Sequence, residues 1–288
     1  VTYLVDRPWW AKIKNFFRCA FSHILKNCSK WDMDCLKPVR STNKNIPSPI
    51  KLLKRHINYM NKRNNELYNI LPKEIQRSIE SYAQIYCQDC REIPTENEQI
   101  SLIVTSPPYV TSYEYIDLYQ LSLLWLYPQI NITELRKKFI GTQQPKNINK
   151  DKIESEIVNQ TINEFENKIK EAKNNHIYLK NCKKAVFTYF AEMQEAIQEF
   201  HRVLKPNGTL SIVIGNTTLG GIQIHNAEAL TEIAINTGFK LKKVIKRRIP
   251  SGRKWLPTMR DPQTGQFTSN KKRNKKPAYP HEYIVFLK

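Results

Sequence analysis

The sequence predicts an α/β fold that follows a mostly helical segment. Two short apolar runs, residues 100–104 and 210–214, have the length and composition of buried strands, and stretches with helical spacing of apolar residues separate them. Strands that alternate with helices are typical of the α/β class. A chain of 288 residues is also long enough to bury a core, as one large domain or two smaller ones.

Residues 1–82 form the predicted helical segment. Apolar residues recur at helical spacing over residues 9–29 and over residues 50–68, and a loop of turn-forming residues, 41–49, lies between them. Residues 83–288 form the predicted α/β region. Its expected strands are 85–87, 100–104, 210–214, 241–245 and 283–287, and its expected helices are 113–125 and 227–237, the latter closed by Gly238.

Two segments interrupt this region. Residues 143–185 are charged and rich in Asn, and their strong apolar positions are few, so we expect a helical insertion with a mainly solvated surface. Those apolar positions are Ile153, Ile157, Ile162, Phe165 and Ile169. Residues 246–280 are basic and contain several Pro and Gly residues, which predicts an irregular loop or a hairpin.

The charge of the chain indicates a polyanionic partner. There are 46 Lys and Arg residues against 26 Asp and Glu residues, a formal charge of +20. Genomic bias toward Lys and Asn codons is an alternative cause, but the basic residues also cluster near the carboxyl terminus. The candidate phosphate-binding residues are Lys246, Arg247, Arg248, Arg253, Lys254, Lys271, Lys272, Arg273, Lys275 and Lys276. A disordered, solvated loop would have a similar composition.

Other sequence features narrow the class of protein. No apolar run has membrane-spanning length and the start lacks a signal peptide, so a cytoplasmic location is expected. The six cysteines are scattered, which predicts reduced thiols. Cys87 and Cys90 form a single CxxC pair without a second ligand pair nearby, and no metal site is expected.

A rigid, polar turn directly follows the predicted strand at residues 100–104. Ligands of open α/β sheets bind beyond the carboxyl ends of the strands, so the turn lies where a site is expected. The Ser106 hydroxyl and the Pro107 carbonyl can both accept a hydrogen bond from an exocyclic amine, Pro108 stiffens the turn, and the Tyr109 ring can stack on a flat base. A stiff strand-to-helix connection without chemistry is the alternative.

The run Thr105-Ser106-Pro107-Pro108-Tyr109 resembles the catalytic motif of DNA amino-methyltransferases. These enzymes transfer a methyl group from S-adenosylmethionine to the exocyclic amine of cytosine or adenine, and Ser at the first motif position is similar to the cytosine-N4 class. Segments 16–34, 106–126, 135–142, 200–239 and 281–288 also resemble, in order, one bacterial group of this family.

The resemblance implies a Rossmann-like methyltransferase sheet with flanking helices. It also implies that Ser106, Pro107, Pro108 and Tyr109 are catalytic and that Asp89, at the end of the preceding strand, and Thr105 contact the cofactor. Duplex DNA is the implied partner, with the target base flipped out of the helix. A restriction-modification context is a further expectation for this family.

One family feature is missing from the sequence. The glycine-rich cofactor loop has no counterpart before the motif, because the first glycine is Gly141. The glycines of segment 215–221 lack the required spacing. We therefore expect a sheet without its first strands, in a fragment of a longer enzyme or in one subunit that is completed by a separate chain. An adenine-N6 enzyme, an RNA methyltransferase and a non-catalytic nucleic-acid-binding protein are the alternatives.

Overall fold

The computed structural model describes residues 8–33, 35, 38–110, 115–142, 153–172, 176–249, 255–258, 274–277 and 281–288. The chain divides into two compact units. The first contains Val1–Cys87 and Glu114–Arg136, and the second contains Gln88–Tyr113 and Lys137–Lys288. The predicted division after residue 82 differs from this one mainly in the segment 114–136, which belongs to the first unit.

The described part of the first unit is helical. Its helices are α1 (Pro8–Leu25), α2 (Pro49–Ile70), α3 (Lys73–Arg77), α4 (Ile79–Tyr82), α5 (Tyr115–Leu126) and α6 (Ile132–Arg136). α1 packs against α2 and α5 and buries Ala20 and Ile24. The Phe21 and Trp125 rings meet edge to face, with their centroids 6.0 Å apart. The helices predicted over residues 9–29 and 50–68 are confirmed.

The second unit contains a mixed four-stranded sheet. Its strands are β1 (Ile100–Thr105), β2 (Leu204–Ile214), β5 (Leu241–Arg248) and β8 (His281–Leu287), in the order β1-β2-β8-β5. Two hairpins accompany the sheet: β3 (Thr217–Leu219) with β4 (Ile222–Ile224), and β6 (Trp255–Thr258) with β7 (Asn274–Pro277). The remaining helices are α7 (Glu156–Glu171), α8 (His176–Val203) and α9 (Asn226–Thr237).

The topology confirms the predicted α/β class. β1 and β2 are parallel neighbours, which requires a long crossover between them, and the described part of this crossover is mainly helical. β8 runs antiparallel to both β2 and β5. β1 lies at one edge of the described sheet, where Leu102 and Val104 remain 58% and 67% exposed.

The core lies between this sheet and the helices α7, α8 and α9. Alternate residues of β2, namely Leu210, Ile212 and Ile214, are fully buried, and they meet Val285 and Leu287 of β8 on the same face. This pattern is expected for a sheet with one face against helices, because successive side chains of a strand point to opposite faces. Gly238 ends α9 in the left-handed conformation, as predicted, with φ at +119°.

The prediction of a mainly solvated insertion at residues 143–185 is wrong for its described part. The region is helical, but Val158 and Phe165 of α7 are fully buried, and Ile153 is 1% exposed. The other three apolar positions noted in the sequence pack against the same core. Helical spacing places the apolar residues of α7 on one stripe, and that stripe joins the helix to the core; Ile153 is buried just before the helix begins.

The strand predicted at residues 85–87 is also wrong. Ile85 is 97% exposed in an irregular segment, and no described strand lies beside it. A strand needs a neighbour for its backbone hydrogen bonds, and three apolar residues without one do not form a strand. Among the described residues, no helix combines the length and the apolar character needed to cross a membrane.

Candidate active site

The motif turn lies at the carboxyl end of β1. Thr105 ends the strand and pairs in register with Ile212 of β2, so the turn lies beside the loop that follows β2. The Ser106 side chain is exposed, Thr105 and Pro108 are half-buried, and Pro107 is buried. The turn therefore presents a hydroxyl to solvent on a rigid backbone, at the edge of the sheet where the sequence predicted a site.

Tyr109 is buried in this structure. The residue is only 8% exposed, and its hydroxyl donates a hydrogen bond to Oε1 of Glu282 on β8, at 3.4 Å. The Glu282 carboxylate is itself 4% exposed. A base cannot stack on the Tyr109 ring in this arrangement until neighbouring groups move.

Arg247 binds the other oxygen of the Glu282 carboxylate. The two residues lie directly opposite each other in the β5–β8 pairing, and Nη2 of Arg247 donates to Oε2 of Glu282. This hydrogen bond raises the pKa of Arg247. The structure therefore connects Tyr109, a candidate catalytic residue, with Arg247, a candidate DNA-binding residue, through a glutamate that sequence reasoning did not identify.

The other basic candidates are placed unevenly. Lys246 and Arg248 are exposed on β5, and the Lys246 ammonium lies 6.0 Å from the centre of the Tyr283 ring. Lys275 and Lys276 lie on β7, whose antiparallel pairing with β6 confirms a hairpin in the basic segment. Five candidates fall outside the described residues, namely Arg253, Lys254, Lys271, Lys272 and Arg273.

Asp89 lies in an irregular segment, where the sequence had predicted a strand end. Arg91 binds its carboxylate through two guanidinium nitrogens, Nε at 2.9 Å and Nη2 at 2.6 Å. The same guanidinium donates to Oε1 of Glu192 at 3.1 Å. The hydrogen bond with Asp89 is the main cause that raises the pKa of Arg91. A cofactor hydroxyl that binds Asp89 must therefore share the carboxylate with Arg91.

Glu192 is a second buried acid that sequence reasoning missed. It lies on α8, is 4% exposed, and also accepts a hydrogen bond from the backbone nitrogen of Gly141 at 3.4 Å. Gly141 adopts a φ of +76°, and an added Cβ there would lie 3.6 Å from the Tyr109 carbonyl oxygen. Glu192 therefore supports both the Asp89 segment, through Arg91, and the backbone next to the motif turn. A charged residue in an otherwise apolar stretch of helix was the signal available in the sequence.

A cleft of about 670 Å³ borders Asp89. Its lining residues are Asp89, Arg91, Glu92, Glu195, Gln198, Glu199 and Arg202. The volume falls within the range of roughly 300–1,000 Å³ that is usual for small-molecule sites. No residue of the motif turn lines this cleft, so Asp89 and Ser106 do not share it.

Two of the three glycines in segment 215–221 form a hairpin turn. Gly220 and Gly221 have φ angles of +59° and +76° and connect β3 to β4. Positive φ at both turn positions is typical of a two-residue hairpin loop and explains the glycine pair. These glycines therefore have a structural reason that involves no phosphate or cofactor.

Comparisons with known proteins agree with the resemblance that the motif shows to DNA amino-methyltransferases. The chain is 27% identical to the Type II methyltransferase M.MvaI of Kocuria varians over 305 residues, which covers 96% of this chain and 60% of that protein. It is 28% identical to the Type II methyltransferase M.AvaI of Nostoc sp. over 185 residues, 59% of this chain and 37% of that protein. The chain thus spans less than two thirds of the length of these relatives.

Solved structures that match include a protein of Thermus thermophilus described as a DNA modification methylase, in complex with S-adenosyl-L-methionine. That match has 16% identity and a TM-score of 0.31, and covers 69% of this chain and 52% of the other. A family model described as DNA methylase, of the N6/N4 methyltransferase type, matches residues 100–288, well over half of the chain. The chain therefore belongs to the N4/N6 family of DNA amino-methyltransferases.

Proposed function

We propose that this chain is the catalytic part of a DNA methyltransferase that methylates the exocyclic N4 of cytosine in duplex DNA. The observation that carries the proposal is the motif Thr105 to Tyr109, placed at the carboxyl end of β1 within the region that matches the family model. Ser106 supports cytosine as the target, because Ser at this position resembles the cytosine-N4 class. The relatives named Type II methyltransferases support a restriction-modification context.

The turn has the groups that methylation of an amine requires. The lone pair of an exocyclic amine is delocalised into the base, and acceptors for its two N–H groups help to direct that lone pair outward. The exposed Ser106 hydroxyl and the Pro107 carbonyl supply two acceptors on a backbone that prolines hold rigid. The amine nitrogen would gain the methyl group as the bond between that methyl group and a sulfonium sulfur breaks, which leaves a neutral thioether. One proton of the amine would pass to solvent, and the Ser106 hydroxyl would accept the N–H hydrogen bond.

S-adenosylmethionine is the cofactor that we propose, and it supplies an electrophilic methyl group on a sulfonium. The cleft beside Asp89 is large enough for a ligand of this size, and its acidic lining suits ribose hydroxyls and a cationic ligand. We propose that Asp89 contacts this cofactor in the cleft and that Thr105, which does not line the cleft, contacts the part of the cofactor that extends from it toward the motif turn. The sequence has no glycine before Gly141, so the loop that holds the methionine end is expected from a separate chain or an upstream segment.

DNA binding requires positive charge on the protein, and methylation further requires rearrangement of both the duplex and the site. Lys246, Arg247 and Arg248 are consecutive exposed cations on the edge strand β5, and we expect them to contact DNA phosphates. A target base hidden in the duplex must flip out to reach the turn. Because Tyr109 is 8% exposed, stacking on the flipped base also requires the groups around its ring to open.

The test is transfer of labelled methyl from S-adenosylmethionine to mixed-sequence duplex DNA, followed by digestion to nucleosides. The chain is assayed alone and together with the polypeptide encoded immediately upstream. Labelled N4-methylcytosine supports the proposal, and labelled N6-methyladenine supports the adenine alternative. RNA is offered as a methyl acceptor in a parallel reaction, and label in RNA but not in DNA refutes the proposed substrate.

The two protein preparations separate the remaining alternatives. Activity only with the upstream polypeptide identifies the source of the missing cofactor loop. Activity of the chain alone shows that its own residues hold the cofactor. No transfer in either preparation, with salt-sensitive DNA binding retained, favours a non-catalytic DNA-binding role.

A further inference from the structure

The buried carboxylate of Glu282 lies between the motif turn and the basic strand β5. Its Oε1 accepts the Tyr109 hydroxyl at 3.4 Å, and its Oε2 accepts Nη2 of Arg247. Tyr109 and Glu282 are 173 positions apart in the sequence, so only the folded sheet brings them together.

The contacts of Glu282 with Arg247 and with Tyr109 differ in strength. A buried carboxylate is costly unless it is paired, and Arg247 pairs it from the directly opposite position on β5. The contact with Tyr109 is longer than the roughly 2.7 Å of an ordinary O–H···O hydrogen bond. The ion pair therefore fixes Glu282, while the hydrogen bond to Tyr109 has room to tighten or to break.

Arg247 can serve a second partner. Its side chain is 58% exposed, and a guanidinium has five N–H donors, more than one carboxylate oxygen uses. A DNA phosphate can therefore bind the outer donors of Arg247 and attract the guanidinium away from Glu282. Any shift of Glu282 changes its hydrogen bond to Tyr109.

We propose that Glu282 is a positioning residue, which sets the place of the Tyr109 ring and transmits phosphate binding at Arg247 to the motif turn. The inference rests on the proposed function, because it takes Tyr109 as the group that meets the target base. Glu282 itself touches neither substrate nor cofactor in this proposal.

The first test observes Tyr109 directly and needs no methyl transfer. In a chain labelled with 3-fluorotyrosine, the ¹⁹F signal of residue 109 is the one that Tyr109→Phe removes. A short duplex is expected to shift this signal in the unmodified chain and to leave it unshifted in Arg247→Ala and in Glu282→Gln. Lys243→Ala is the matched control, because it removes one exposed charge from the same strand at a position outside the candidate phosphate-binding residues, and it should retain the shift.

These outcomes separate the inference from the proposed function. If the duplex binds but the signal does not shift, or if the shift survives in Arg247→Ala, the coupling is refuted while the proposed function stands. If the chain binds no duplex either alone or together with the upstream polypeptide, the proposed function is refuted instead. In that case the ¹⁹F spectrum of the chain without DNA still tests the positioning role of Glu282. Glu282→Gln must shift the residue 109 signal, whereas Glu199→Gln, which disrupts a different acid–arginine pair, must leave it unshifted.

The second test is a double-mutant cycle on methyl transfer, in the preparation that is active. Glu282→Gln is expected to lower kcat by about tenfold and to change KM for DNA by less than about twofold. In a Tyr109→Phe background, the same substitution should change kcat by less than about twofold, because the hydroxyl that it acts on is gone. If the fold losses in kcat of the two single variants multiply in the double variant, Glu282 and Tyr109 act independently and the positioning role is refuted.

Discussion

The buried hydroxyl of Tyr189 leads to a prediction whose sign is unusual for a core substitution. Tyr189 lies on α8 and is fully buried, and its hydroxyl oxygen has no hydrogen-bond partner among the described residues. Burial accordingly raises the pKa of this phenol. We therefore expect Tyr189→Phe to stabilise the protein, although most changes in a core destabilise it.

The expected gain can be estimated from the contacts of Tyr189. A buried polar group without a partner costs about 1–3 kcal/mol, and this cost disappears with the hydroxyl. The ring itself remains, with its edge-to-face contact to Phe190 at 5.0 Å between centroids. The gap left by one oxygen offsets part of the gain at roughly 1 kcal/mol or less. The free energy of unfolding should rise by about 1 kcal/mol, and the melting temperature by about 2–4 °C.

Urea unfolding at unchanged m-value measures this difference. Tyr178→Phe is the matched control, because Tyr178 lies on the same helix but is 52% exposed, and its change should stay within about 0.5 kcal/mol. A loss of more than about 1 kcal/mol in Tyr189→Phe would refute the reasoning. It would show that the hydroxyl has a partner, such as a buried water.

Three further substitutions test the core, an ion pair and the motif. Phe165→Ala should lower the free energy of unfolding, measured in urea, by about 3–5 kcal/mol, because it leaves a cavity at a fully buried site. A loss below about 1 kcal/mol would instead support the interpretation of residues 143–185 as a mainly solvated insertion. Arg202 lowers the pKa of Glu199 by hydrogen bonding, so this pair stabilises the fold above the ordinary pKa near 4.5 and loses that effect as the pH falls. Glu199→Gln should therefore be less stable than the unmodified protein at pH 7 and equally stable at strongly acidic pH, and a difference that persists in acid would contradict this. Ser106→Ala should reduce methyl transfer by about 10²–10³-fold with unchanged DNA affinity, and loss of binding together with transfer would mean that Ser106 is structural. Ser101→Ala, at an exposed serine within β1, should keep both activities.

The sequence was informative where local pattern decides the structure. The strands β1 and β2 were predicted because short runs of apolar residues between turns are hard to bury in any other way. The end of α9 was predicted because Gly238 can adopt the left-handed conformation at little cost. The motif turn needed no long-range information, since its five residues are consecutive and directly follow a strand.

The failed predictions depended on partners that are distant in sequence. Residues 85–87 had strand composition but no neighbouring strand, and no local pattern reveals that. The charged composition of α7 predicted a solvated helix, but Phe165 is buried there because α8 and the β3–β4 hairpin pack against it. Glu192 and Glu282 were missed for the same reason, because each obtains its role from contacts with residues more than a hundred positions away.

The position of β8 has a consequence for the order in which the sheet can form during synthesis. β8 is the last of the described strands in sequence order, yet it lies between β2 and β5 and pairs with both. While a ribosome is still adding residues 281–287, β2 and β5 lack the strand that will join them. The sheet can therefore close only after translation of these residues, and until then the nascent chain exposes two strand edges that a chaperone could bind.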